Sequence, residues 1–139
     1  IVKLMSREIE IPITIFSKKL GALESIVKYM KENLNMRYRE IAEILNRNER
    51  TIWTAYNKAK EKSPGSIEIK ETKILLPISI FKNKLTILEA VIIYLKQKKL
   101  RYSEIASLLD RDQRNIWTIY SRAVKKIEML SQVPKYTFS

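Results

Sequence analysis

Apolar residues along this chain follow two kinds of spacing, and the two alternate in a fixed order. From Ile9 to Phe16, Ile11, Ile13 and Ile15 alternate around Pro12, and a similar run returns from Ile74 to Phe81 with Leu76, Ile78 and Ile80 around Pro77. Period two predicts extended backbone. Proline cannot donate to a central ladder, so each run reads as a short edge strand or a covering arm. The spacing then changes to three and four: Leu23, Ile26, Val27 and Met30, and later Leu88, Val91, Ile92 and Leu95, predict amphipathic helices. Thr86-Ile87-Leu88-Glu89 has the residue order of a capping box, whose hydroxyl and carboxylate satisfy free amides at a helix start, whereas Gly21 is a weaker first-copy counterpart. A shorter helix follows, Tyr38 to Leu45 and Tyr102 to Leu109, with Ile41, Ala42 and Leu45, or Ile105, Ala106 and Leu109, inward. Asn46-Arg47-Asn48 and Asp110-Arg111-Asp112 interrupt it. Asn and Asp tolerate left-handed backbone, and Asn48 or Asp112 can cap a third helix. That helix is expected to reach about Lys62 or Ile127 and to bury Ile52, Tyr56 and Ala59, or Ile116, Ile119, Tyr120 and Ala123.

The order of elements repeats because the sequence does. Residues 7–34 align with 72–99 and 36–62 with 100–126 once Asn35 is skipped, and 25 of the 55 aligned pairs are identical. Ser63-Pro64-Gly65-Ser66 between the copies is a turn-forming cluster that reads as a linker. The organisation expected is a first module over 6–62, a linker over 63–69, a second module over 70–127 and a tail over 128–139. The fold class is mainly α: two tandem three-helix modules of helix-turn-helix type, each preceded by a short extended arm or edge strand.

Tyr38-Arg39-Glu40-Ile41-Ala42, Leu45, Thr51-Ile52 and Lys58-Ala59, matched by Glu104-Ile105-Ala106, Leu109, Ile116 and Arg122-Ala123, carry a family resemblance. This pattern resembles region four of bacterial sigma factors and the related LuxR-type DNA-binding domains over about 35 to 40 residues of each copy. Ala42 and Ala106 stand where two helices of such a unit cross closely. The resemblance implies duplex DNA binding through the third helix. The chain departs from it where the turn lacks glycine, where Arg37 and Arg101 replace a Ser or Thr cap, and where Trp53 and Trp117 replace polar residues.

Charge points the same way. Lys and Arg number 27 against 15 Asp and Glu, a net charge of +12, which attracts polyanions. The second module, with 13 basic and 5 acidic residues, is more positive than the first, with 12 and 8. Basic residues are dispersed among short helices, so a membrane partner is not expected. Composition is globular, 45% apolar and 30% charged, with no apolar run of the roughly 20 residues that span a bilayer. Cysteine is absent and no secretory leader is visible, so a cytoplasmic, nucleoid-associated location is expected. Without His, Cys or a glycine-rich phosphate loop, the expectation is a non-enzyme with no cofactor and no metal. Glu40 and Glu104 read as caps or surface ion pairs rather than catalytic acids.

The candidate site lies on the turn and third helix of each copy: Arg47, Asn48, Glu49, Arg50, Trp53, Thr54, Asn57 and Lys58, with Arg111, Asp112, Gln113, Arg114, Trp117, Thr118, Ser121 and Arg122. Arg50 and Arg114 are placed to reach guanine or phosphate, and Arg47 and Arg111 to hold phosphate. Trp53 and Trp117 read first as half-buried or inter-module residues, and second as DNA contacts. The function expected is sequence-specific double-stranded DNA binding in transcriptional control, with two recognition helices on one chain. The alternative is a sigma-like adaptor that docks on transcription machinery, and RNA binding ranks third. The oligomeric state stays open, including a dimer formed through the extended arms, which could equally lie over the helices or pair with each other.

Overall fold

A computed structural model describes the backbone of residues 9–138 and the side chains of residues 9–130. Residues 6–8, the start assigned to the first module, lie outside the described residues. Among the described residues the chain is mainly helical, with six helices, 63% helical residues and a two-stranded sheet. In chain order the elements are β1 (Glu10–Pro12), α1 (Ala22–Glu32), α2 (Tyr38–Leu45), α3 (Glu49–Lys62), β2 (Leu75–Pro77), α4 (Ile87–Gln97), α5 (Tyr102–Leu109) and α6 (Gln113–Phe138). A 3-10 turn follows each strand, at Ile13–Ile15 and Ile78–Phe81.

The strands are shorter than the period-two runs, and proline is the reason. Pro12 and Pro77 have φ of −64° and −68°, which starts a 3-10 turn and ends the strand. β1 and β2 pair with each other, antiparallel, in the register Glu10↔Pro77, Ile11↔Leu76, Pro12↔Leu75. Ile11 and Leu76 are equivalent positions of the two repeats, so the pairing has a local twofold axis between them. Two further bonds obey it: the Ile13 amide donates to the Ile74 carbonyl (3.1 Å), and the Ile78 amide to the Ile9 carbonyl (3.0 Å). Both central side chains are fully buried, which contributes about 1.5–3 kcal/mol each.

Beyond the sheet the arms cross over. The first 3-10 turn packs on α5 of the second repeat as well as on its own α1, and the second packs on α2 of the first repeat as well as on α4. One core therefore runs through both repeats, from Ile26, Met30, Ile41 and Ile52 to Ile92, Leu95, Ile105 and Ile116. The packing within each repeat recurs down to single side chains. Tyr38 meets Tyr56 edge-on at 6.0 Å, and Tyr102 meets Tyr120 at 5.8 Å. Lys31 and Lys96 lie over Tyr38 and Tyr102 and donate to the Met36 and Leu100 carbonyls.

Local chemistry sets the helix ends. The Thr86 hydroxyl accepts from the Glu89 amide (3.1 Å) and the Glu89 carboxylate accepts from the Thr86 amide (2.9 Å), the expected capping box. Gly21, Arg37 and Arg101 cap with backbone alone, their amides donating to Glu24, Glu40 and Glu104. The single-residue offset between repeats falls one position earlier than the alignment placed it. Asn35 (φ 53°) and Lys99 (φ 68°) occupy the same left-handed position, which leaves Leu34 as the extra residue. At the end of the chain the expected tail is a helix: α6 continues through Phe138, with Pro134 inside it.

The repeats differ at one buried cluster. In the first, the fully buried Lys28 ammonium donates to Glu32 (2.6 Å), whose other oxygen accepts from the Tyr56 hydroxyl (2.8 Å). Burial, and then Glu32, push the Tyr56 phenol up to about 12. The equivalent residues of the second repeat are Ile93, Gln97 and Tyr120, which form no ion pair.

Candidate nucleic-acid interface

The third helix of each repeat is set by a turn of three residues. Asn46 and Asp110 take left-handed backbone (φ 55° and 56°), which side chains able to bond locally tolerate best. Their amides, with those of Arg47 and Arg111, bond back to the last carbonyls of α2 and α5. Asn48 then caps α3, its Oδ1 accepting from the Thr51 amide (2.8 Å) and hydroxyl (2.9 Å), and Asp112 caps α6 by accepting from the Arg114 amide (3.0 Å). Ile52 and Ile116 turn inward and are fully buried, as are Ala59 and Ala123. Tyr56, Ile119 and Tyr120, expected to be buried, are only half-covered.

The opposite side of these helices carries most of the candidate residues. Asn48, Glu49, Arg50, Thr54, Asn57 and Lys58 are exposed on the first repeat, and Asp112, Gln113, Arg114, Thr118 and Arg122 on the second, with Ser121 half-buried. Two of these bond within their own helix. Asn57 donates to the Trp53 carbonyl (2.8 Å), and Thr118 to the Arg114 carbonyl (3.1 Å). Trp53 and Trp117 are 54% and 56% exposed and stand outside the core cluster. Just under half of each residue is covered, in keeping with the half-buried placement expected of them, but helix geometry keeps both out of the core. Each lies about 100° around the helix from its inward neighbour Ile52 or Ile116, on the solvent side.

Arg47 and Arg111 also depart from expectation. Both were expected to face phosphate, but the fold turns them toward the other repeat. Arg111 donates to Ser17 (2.8 Å) and Leu20 (3.4 Å) of the first repeat and to its own Leu109 (3.3 Å). Arg47 donates to its own Leu45 (2.6 Å) and to Leu85 of the second repeat (3.4 Å). Leu20 and Leu85 are equivalent residues, so these contacts obey the same twofold relation as the sheet. Burial lowers the Arg47 pKa from its ordinary value. The two turns are therefore clamps between repeats.

The base of each third helix is tied to the first helix by an ion pair. Lys62 donates to Glu24 (2.9 Å) and Lys126 to Glu89 (2.8 Å). Burial alone would raise the Glu24 pKa, but bonds from the Gly21 amide and Lys62 outweigh it, with Lys58 nearby, and hold it low. Glu89 behaves alike: burial opposes, while Lys126, the Thr86 amide and nearby Arg122 win. In the first repeat an open cleft of about 580 Å³ separates the start of α1 from α3, with Gly21, Ala22 and Ala55 in its wall and Arg50, Thr54 and Lys58 around it. Thr86, Ile87 and Ile119 stand at the three wall positions in the second repeat. Sequence reasoning missed this cleft, although the paired differences Gly21/Thr86, Ala22/Ile87 and Ala55/Ile119 signalled it. Among the described residues no helix is long and apolar enough to cross a membrane. No family model matches the chain, and neither the curated proteins nor the solved structures yield a match.

Proposed function

We propose that this chain binds double-stranded DNA sequence-specifically in transcriptional control, as two tandem helix-turn-helix units whose α3 and α6 enter successive major grooves. One observation carries the reading: at equivalent positions both helices present Arg50 or Arg114, Trp53 or Trp117, and Thr54 or Thr118 outward from a short capped turn. The net charge of +12 supports it, since phosphate neutralisation supplies most nonspecific affinity. The twofold pairing of the arms supports an imperfect palindrome, with half-sites about 34 Å apart, because protein symmetry is mirrored in the operator. Half-sites are expected to differ, since Asn48, Glu49, Thr51 and Asn57 become Asp112, Gln113, Asn115 and Ser121.

Selection from a random duplex pool, followed by mobility shifts against single strands and RNA, tests the reading. The expected result is one preferred duplex whose log K falls with log salt as for roughly 6 to 10 released counterions. Arg50→Ala and Arg114→Ala should each weaken it by about 1–3 kcal/mol and relax preference at different half-sites. A pool that yields no preferred duplex, or an affinity indifferent to salt, overturns the proposal.

A further inference from the structure

Trp53 and Trp117 are the only tryptophans in the chain, and the fold leaves both more than half exposed at equivalent positions. Indole is among the largest apolar surfaces a side chain can withdraw from water, so two of them outside one shared core mark a contact surface. Trp117 also walls an open cleft with Tyr102, Gln113 and Arg114. The surroundings decide what kind of surface it touches. Within about a turn and a half lie Arg50, Thr54 and Lys58 on α3, or Arg114, Thr118 and Arg122 on α6, all exposed. Two cations flank each Trp against one exposed acid, Glu49 or Asp112, and such a net positive surround suits a polyanion whose floor offers an apolar spot.

Indole has one N–H donor and no acceptor, so most of what it offers is apolar area. On the floor of the major groove the apolar group is the thymine 5-methyl. Building on the duplex-binding reading above, we infer that Trp53 and Trp117 read thymine methyl groups, one site in each half of the target. The shared residues Arg50/Arg114, Trp53/Trp117 and Thr54/Thr118 then specify what the half-sites have in common, and the divergent neighbours specify where they differ. A wedge between base pairs is a poorer fit, because each Trp projects from the body of a helix rather than into a minor groove.

The test replaces thymidine by deoxyuridine, one half-site at a time, in the duplex selected by the full chain, which removes only the methyl group. Each replacement at a contacted position should weaken wild-type binding about four-fold, the factor for one buried methyl-sized group. Trp53→Ala should abolish that sensitivity in one half-site only, and Trp117→Ala in the other. Trp emission of the wild type should shift on duplex binding, and half of that change should survive in each single variant. Wild-type protein that binds the selected duplex but ignores every deoxyuridine overturns the inference while the duplex reading stands. Full methyl sensitivity retained in both variants overturns it too, as does a larger emission change with single strands or RNA, which would mark base stacking. If no duplex is selected at all, the underlying reading fails first and this inference with it.

Discussion

Replacing Arg111 by Ala separates a clamp from a phosphate contact. Its guanidinium makes one short bond across the repeats, to Ser17 at 2.8 Å, and longer ones to Leu20 at 3.4 Å and Leu109 at 3.3 Å. A hydrogen bond to a charged group contributes about 1.5–3 kcal/mol, and strength falls steeply at the long end of the range. Counting the short bond in full and the others as minor gives a loss of about 2–3 kcal/mol for Arg111→Ala. Arg47→Ala should lose less, about 1–2 kcal/mol, because its short bond at 2.6 Å goes to its own turn and only the 3.4 Å bond crosses. At about 4 °C per kcal/mol for a chain of this size, Arg111→Ala lowers Tm by about 8–12 °C. Lys at position 111 restores the charge without the fork, so Arg111→Lys should recover little of that loss.

Urea denaturation followed by circular dichroism measures the stability term, and a salt titration on duplex DNA measures the other possibility. A clamp lowers the urea midpoint and leaves the salt slope unchanged. A phosphate contact does the reverse, lowering the slope by about 0.9 with stability changed by less than about 0.5 kcal/mol. The second pattern would refute the argument from geometry.

Three further outcomes follow from the packing. Lys28→Ile with Glu32→Gln installs the residues of the second repeat and should leave stability unchanged or raise it by about 1–2 kcal/mol, whereas Glu32→Ala alone should cost about 3 kcal/mol by stranding a buried ammonium; urea melts of the three chains check this. Glu24 and Glu89 have pKa values held below the unfolded value of 4.5, so their contribution is complete above that pH and is lost as pH falls through the folded values. The raised Tyr56 pKa works at the other end: its contribution is complete below pH 10 and is lost between about 10 and 12, and thermal melts across pH 2–12 follow both limbs. A protease site placed at Pro64-Gly65, once cut, should leave the two halves in one complex on size exclusion, because the sheet and clamps cross between them; halves that separate would show that the linker holds the assembly.

Where a feature depends on a few adjacent residues, it was legible. The left-handed turn at Asn46 and Asp110, the caps at Asn48, Asp112 and Thr86, and the start of each helix follow from side-chain chemistry within three or four positions. What depended on residues far apart was not. The arms announced extended backbone, but nothing in either run says that Ile11 pairs with Leu76 across 65 positions. The guanidinium groups of Arg47 and Arg111 look in sequence like those of Arg50 and Arg114. What divides them is a carbonyl on the other repeat, reached only after the arms have crossed. Trp53 and Trp117 were ambiguous for a different reason: one residue along a helix is a rotation of about 100°, so the neighbour of a core position can fall on the boundary or outside it.

The crossed arms bear on how the candidate interface is oriented. Each third helix begins at a turn whose arginine is bonded to the loop between the arm and the first helix of the other repeat, so its placement depends on a surface it does not share a module with. Two helices fixed this way keep a set separation and angle, unlike two modules on the flexible linker Ser63-Pro64-Gly65-Ser66, whose effective concentration would be set by its length. Under the duplex-binding reading, that rigidity converts a correctly spaced pair of half-sites into a single binding event and penalises pairs spaced by other than a whole helical turn. It also frees the two copies to diverge. A symmetric dimer must present the same residues twice, whereas one chain can keep an open cleft beside Ala55 on α3 and carry the larger Ile119 at the equivalent position of α6. Under the duplex-binding reading, the first repeat can therefore change what touches its half-site without altering the second, provided that Arg47, Arg111 and the Ile11–Leu76 pair stay in place.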